Sequence, residues 1–176
     1  MGKTRKIVLL ALLSAAALCL SYVESLFPLP LPIPGAKLGL GNVMVLLALL
    51  LFGFKEASGV LVVKVALSSL LFGSPVSGLY GLCGGILALC GMAFAGRFKS
   101  VSVIGRSMLG AVLHNLGQVL LAVILTGTPK LLIYFTFLCF LALVTGALSG
   151  VLAGEAEKRL RKFSVFSFQF SGERRL

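Results

Sequence analysis

The sequence predicts an all-α, polytopic membrane bundle of about six transmembrane helices. Three observations lead there. Hydrophobic residues make up 59% of the 176 positions and charged residues only 12%, whereas a soluble domain is about half apolar and about a quarter charged. The apolar residues fall into runs near the roughly 20 positions that a spanning helix needs. The cations stand mostly at the ends of those runs, where positive charge marks a membrane boundary.

The runs can be taken in order. Residues 7–26 form a first span after the basic start Lys3, Arg5 and Lys6; the run is long for a signal peptide and is expected to be retained. Residues 27–42 carry Pro28, Pro30, Pro32 and Pro34, then Gly35, Gly39 and Gly41. Alternating prolines exclude a helix, because each lacks an N–H and restricts the residue before it. Apolar non-helical backbone survives near a membrane only when protein or a cavity covers it, so a cap over the bundle is expected. Span two covers residues 40–54 and is short enough to be partial or tilted; span three covers 56–72, with Lys64 near its middle. Spans four, five and six cover 77–95, 104–125 and 131–153, and residues 154–176 are a basic tail whose Phe163–Phe170 stretch alternates as a surface-lying segment would. The domain reading is thus a six-span domain over 1–153 followed by that tail.

Loop charges set the orientation. With the N-terminus inside, the inner side carries the N-terminal trio, Lys55, Arg97, Lys99, Arg106 and the cations of the tail, against Lys37 and Lys130 outside. Both termini are therefore expected in the cytoplasm. The net charge of +11 is accounted for by these boundaries, and no nucleic-acid partner is expected, since nucleic-acid binders gather their cations on one face. Membrane lipid is the expected surround.

Ionisable groups inside spans are costly and so are functional candidates. Glu24, Lys37, Lys64 and His114, with the amides Asn42, Asn115 and Gln118, are the expected ligand-binding set. His114 and Gln118 lie one turn apart, while the glycines before Asn42 would offer backbone N–H groups at a positive helix end. Such a site suits an anionic or carbonyl-rich small ligand. The other reading of the same residues is structural: Lys64 pairs with Glu24, and the amides tie helices together.

Small residues recur at intervals of four: Ala11 and Ala15 on span one, Ser77, Gly81 and Gly85 on span four, and Ala142, Gly146, Gly150 and Gly154 on span six. On spans four and six the expectation is close packing within the bundle. The four cysteines, Cys19, Cys83, Cys90 and Cys139, are expected to be packing residues.

Absences bear on the chemistry. The chain has no Asp and five Glu, scattered as Glu24, Glu56, Glu155, Glu157 and Glu173. No carboxylate pair inside a span holds Mg²⁺ on a diphosphate, no GxxxxGK[ST] loop binds ATP, and no Ser–His–Asp triad is available. No catalytic residue, metal or cofactor is expected.

The strings Ser21-Tyr22-Val23-Glu24, Pro34-Gly35-Ala36-Lys37-Leu38-Gly39-Leu40-Gly41-Asn42 and Leu109-Gly110-Ala111-Val112-Leu113-His114-Asn115-Leu116-Gly117-Gln118 resemble those of the bacterial heptaprenyl diphosphate synthase component I family, also called the Gx transporter family, over residues 7–153. That family is similar to the substrate-binding S components of energy-coupling factor (ECF) transporters. The resemblance implies a six-helix bundle in a bacterial cytoplasmic membrane, an outward pocket capped by the loop between spans one and two, and a docking face at Ala11 and Ala15 for an ECF coupling subunit served by ATPases. The leading expectation is a substrate-binding subunit for a small molecule, anionic, vitamin-like or isoprenoid-like. The family name implies an alternative: a non-catalytic membrane component supporting heptaprenyl diphosphate or isoprenoid-quinone synthesis beside a soluble prenyl synthase subunit, since the Asp-rich motifs of prenyl synthases are absent. A third is a small secondary carrier using Glu24 and His114 for proton coupling.

Overall fold

A computed structural model describes residues 3–26 and 39–173, with side chains through Lys162. The expected cap and Lys37 lie mainly outside the described residues; only its end, Gly39–Asn42, is within them. Six α-helices are described: α1 (Lys3–Ser25), α2 (Asn42–Phe52), α3 (Phe54–Leu71), α4 (Pro75–Ala95), α5 (Val103–Thr126) and α6 (Ile133–Glu173), the last preceded by a 3-10 turn at Pro129–Leu132. Four segments, Lys3–Ser25, Pro75–Ala95, Val103–Thr126 and Pro129–Lys162, are long and apolar enough to cross a membrane.

Each boundary has a local cause. Gly53, at φ 101°, alone separates α2 from α3, a backbone conformation that favours glycine. Ser74 and Ser77 form a reciprocal capping box ahead of α4, with Pro75 in the first turn. The Ser102 hydroxyl accepts the Gly105 N–H at 3.1 Å to start α5, and Gly127, in the left-handed region at φ 63°, ends it.

The 11-residue α2 is about 16 Å long, roughly half a hydrocarbon core. It sits at the centre, touching each of the other five helices, and Val43, Val45, Leu46, Leu47 and Ala48 are buried. A helix apolar on every side belongs in such a position. Around it, α5 packs against α4 and α6, while α1 packs against α3. Large apolar side chains such as Leu70, Ile124, Ile133 and Phe140 point outward, as lipid contact requires. Cys19 and Cys90 also lie on the outside, contrary to the expected packing role; a thiol behaves as a small hydrophobe and suits lipid as well as core.

Both glycine stripes are filled by neighbouring helices. A methyl group on Gly146 would lie 2.7 Å from Met108 Cα, and one on Gly150 would lie 2.6 Å from Ile104 Cα, so α6 runs against the α5 backbone. On α4, Gly85 receives Leu61 and Gly81 receives Val65, both from α3.

The tail is a continuation of α6, whose backbone runs as one helix to Glu173. No proline interrupts residues 155–173, and the pairs Glu155–Lys158 and Glu157–Arg161 have the spacing that supports a helix. The basic ends gather on one side of the bundle: Lys6 at the start of α1 pairs with Glu56 at the start of α3, and Arg161 Nη2 donates to Leu50 O at 2.8 Å.

Candidate functional site

At the opposite end, the chain enters α2 through Gly39, Leu40 and Gly41, and polar side chains from three helices gather there. From α1, the Glu24 carboxylate accepts the N–H of Gly39 at 2.6 Å and that of Leu40 at 3.1 Å. By sequence these N–H groups are free for a ligand; two of them are instead held by the protein's own carboxylate. A carboxylate at this spot also meets the positive end of α2. Glu24 is only 7% exposed, so these charge-assisted bonds offset its burial.

From α3, Lys64 Nζ donates to Asn42 Oδ1 at 2.8 Å. Lys64 stands ten residues past Phe54, about 15 Å along the helix, and is 7% exposed. From α5, His114 and Gln118 are bonded to each other, Nε2 to Nε2, at 2.9 Å, and both are buried. The imidazole lies against the loop end: a methyl group on Gly39 would come within 2.9 Å of His114 Cδ2 and of Asn42 Nδ2. Gly39 also has φ +83°, so this position needs glycine twice over. Gly41 sits where a methyl group would meet Ser21 Oγ at 2.5 Å, Lys64 Cε at 2.7 Å and Ala17 O at 2.8 Å.

Of the expected residues, Glu24, Lys64 and His114 thus meet the Gly39–Asn42 segment, and Gln118 joins them through its bond to His114. Asn115 does not join them. It is fully buried and donates through Nδ2 to Leu138 O of α6 at 3.0 Å. One residue is about 100° of helix rotation, enough to turn it from the loop end to the neighbouring helix.

Ser21 escaped the sequence reading. It is buried, and its Oγ has no hydrogen-bond partner among the described residues. Asn42 Nδ2 has none either. Buried polar atoms without partners are uncommon; here Ser21 Oγ lies beside Gly41 and Asn42 Nδ2 beside Gly39. The signal for Ser21 was its spacing: it stands three positions before Glu24, on the same helix face. Beside Gly39 and Asn42, Ser107, Thr145 and Ser149 help line a cavity of about 20 Å³, room for about one water.

A second feature lies on the outer flank of α1 and α3. An apolar groove of about 720 Å³ is lined by Ala11, Ala15, Leu18, Gly59, Val63 and Leu67, among others. Ala11 and Ala15 are exposed, and a methyl group on Gly59 would meet nothing within 4 Å. Here the small residues leave open space.

Comparison with known proteins follows the same lines. The fold is similar to that of the S component of a bacterial ECF transporter, with a TM-score of 0.71 and 22% sequence identity, covering 92% of this chain and 98% of that one. At that identity the likeness is one of fold. No curated protein matches. The family model for heptaprenyl diphosphate synthase component I matches residues 13–156, and the chain belongs to that family.

Proposed function

We propose that this chain is the substrate-binding membrane subunit of an ECF-type transporter, without an ATPase of its own. The observation that carries the reading is the buried polar cluster at the start of α2: Glu24, Asn42, Lys64, His114 and Gln118 from four helices of a largely apolar bundle. Intramembrane ionisable groups are expensive to keep and mark ligand pathways. The ligand is a small molecule with an anionic or carbonyl-rich face, which Lys64 and the positive end of α2 attract and which Asn42, Ser21 and the His114–Gln118 pair orient. Glu24 holds the end of the loop in place, so capture involves the segment just before Gly39.

Energy for transport comes from partner ATPases, because the sequence contains no phosphate-binding loop. The groove at Ala11, Ala15 and Gly59 receives the coupling subunit, whose helix approaches closely across small residues. Docking there and capture at α2 use different faces of the same helix, α1, which links the two events mechanically. The basic end faces the cytoplasm and the loop end faces outward.

Native mass spectrometry of the detergent-purified protein tests this reading. A retained small molecule and attached ATPase subunits support it. A soluble, Asp-rich prenyl synthase in their place would instead favour a membrane role in isoprenoid synthesis, and a bare protein without ligand or partner argues for neither.

A further inference from the structure

A second groove, away from both the loop end and the α1 flank, opens at the basic end of the bundle. It measures about 600 Å³, and its apolar walls are Leu49, Leu50 and Phe54 on one side and Cys90, Ala93 and Phe94 on the other, from the end of α2, the start of α3 and the end of α4. Two arginines, Arg97 and Arg106, also line it. Phe54 and Phe94 are half exposed, so the apolar part opens sideways, toward lipid.

The charge in this groove has no counterpart in the described chain. No carboxylate lines it. Neither arginine forms an ion pair among the described residues, and the Nε of Arg106 is buried without a hydrogen-bond partner there. The glutamates with described side chains are engaged elsewhere: Glu24 with the loop, Glu56 with Lys6, Glu155 with Lys158 and Glu157 with Arg161. The Arg106 guanidinium lies against Gly96, its Nη1 3.3 Å from where a methyl group there would stand. A third arginine, Arg161, reaches the rim through its bond to Leu50 O.

Paired guanidinium groups match a phosphate in geometry and charge, and a basic hollow between helices at a membrane boundary matches an anionic headgroup. The apolar walls continue from the cations toward the hydrocarbon layer, as an acyl chain does from its phosphate. We propose that this groove binds an anionic phospholipid, with the phosphodiester on Arg97 and Arg106 and an acyl chain between α2 and α4. The lipid supplies the negative charge that the chain lacks and fastens the ends of α2, α4 and α5 together.

The test uses the full-length chain, delipidated in detergent and followed by native mass spectrometry. Phosphatidylglycerol and phosphatidylcholine of identical acyl chains are added at equal concentration, and inorganic phosphate is added alone in a third arm. Wild type is expected to prefer phosphatidylglycerol roughly tenfold, as two cations near an anionic headgroup allow. The double substitution Arg97→Gln/Arg106→Gln should bring the preference to parity, whereas Arg97→Lys/Arg106→Lys should keep most of it and Arg159→Gln all of it. Arg97 is exposed, so Arg97→Gln alone should fold and lower the preference about threefold, which keeps the test decisive if the double variant does not fold. Equal binding of the two lipids by wild type, an unchanged preference in the glutamine variants, or phosphate alone filling the site would overturn the proposal.

Discussion

The small residues of α6 and those of α1 follow the same spacing and meet opposite surroundings. Gly146 and Gly150 press against the α5 backbone, where even a methyl group would collide with Met108 and Ile104. Ala11 and Ala15 are exposed and, with Gly59 across the way, leave an open apolar groove. In lipid there is little hydrophobic drive between helices, so close backbone approach has to supply the contact. On α6 that approach has already happened within the chain. On α1 no described helix fills the groove, and under the proposed function this is where a coupling subunit docks. The same spacing thus closes a helix contact on α6 and leaves an open surface on α1.

Substitutions sharpen the contrast, and the largest effect belongs to the filled stripe. Gly150→Leu drives a side chain into the Ile104 backbone, which cannot move aside as a flexible side chain would. The expected cost exceeds the ~1–3 kcal/mol of ordinary overpacking, read as loss of the monodisperse peak and a lower unfolding temperature in detergent. Next comes Glu24→Gln. The neutral amide weakens two charge-assisted bonds to Gly39 and Leu40, costing about 1–2 kcal/mol; amide exchange at those two positions should quicken roughly tenfold while α5 and α6 keep their protection. The smallest effect on stability belongs to Ala11→Leu and Ala15→Leu, expected within about 0.5 kcal/mol of wild type as surface changes are. Those variants should nonetheless lose co-purifying coupling subunits and keep bound ligand. Destabilisation by the α1 pair as severe as that by Gly150→Leu would erase the distinction.

Much of the fold was legible because membrane helices announce themselves. The apolar runs placed most helix ends within a few residues of those observed. Within the candidate site, Lys64, His114 and Glu24 stood out because ionisable groups inside apolar runs are conspicuous. Direction was harder. Asn115 and His114 are neighbours in sequence, and only the bundle geometry shows that one meets α6 and the other the loop end. The role of Glu24 was also hidden, since its partners are backbone N–H groups that every non-proline residue carries. Alternation at Phe163–Phe170 did not reveal that the α6 backbone stays helical to Glu173, since no proline interrupts that stretch.

The account rests on the loop-end cluster being a ligand site, and the adjacent pair on α5 gives the most direct measurement. Ligand occupancy should be read by native mass spectrometry on wild type, His114→Ala and Asn115→Ala, taking only the monodisperse, folded fraction of each. The expected result is at least a tenfold fall in occupancy for His114→Ala, with Asn115→Ala retaining the ligand at near wild-type levels. Equal loss in both variants, or none in either, would contradict a binding site at the start of α2.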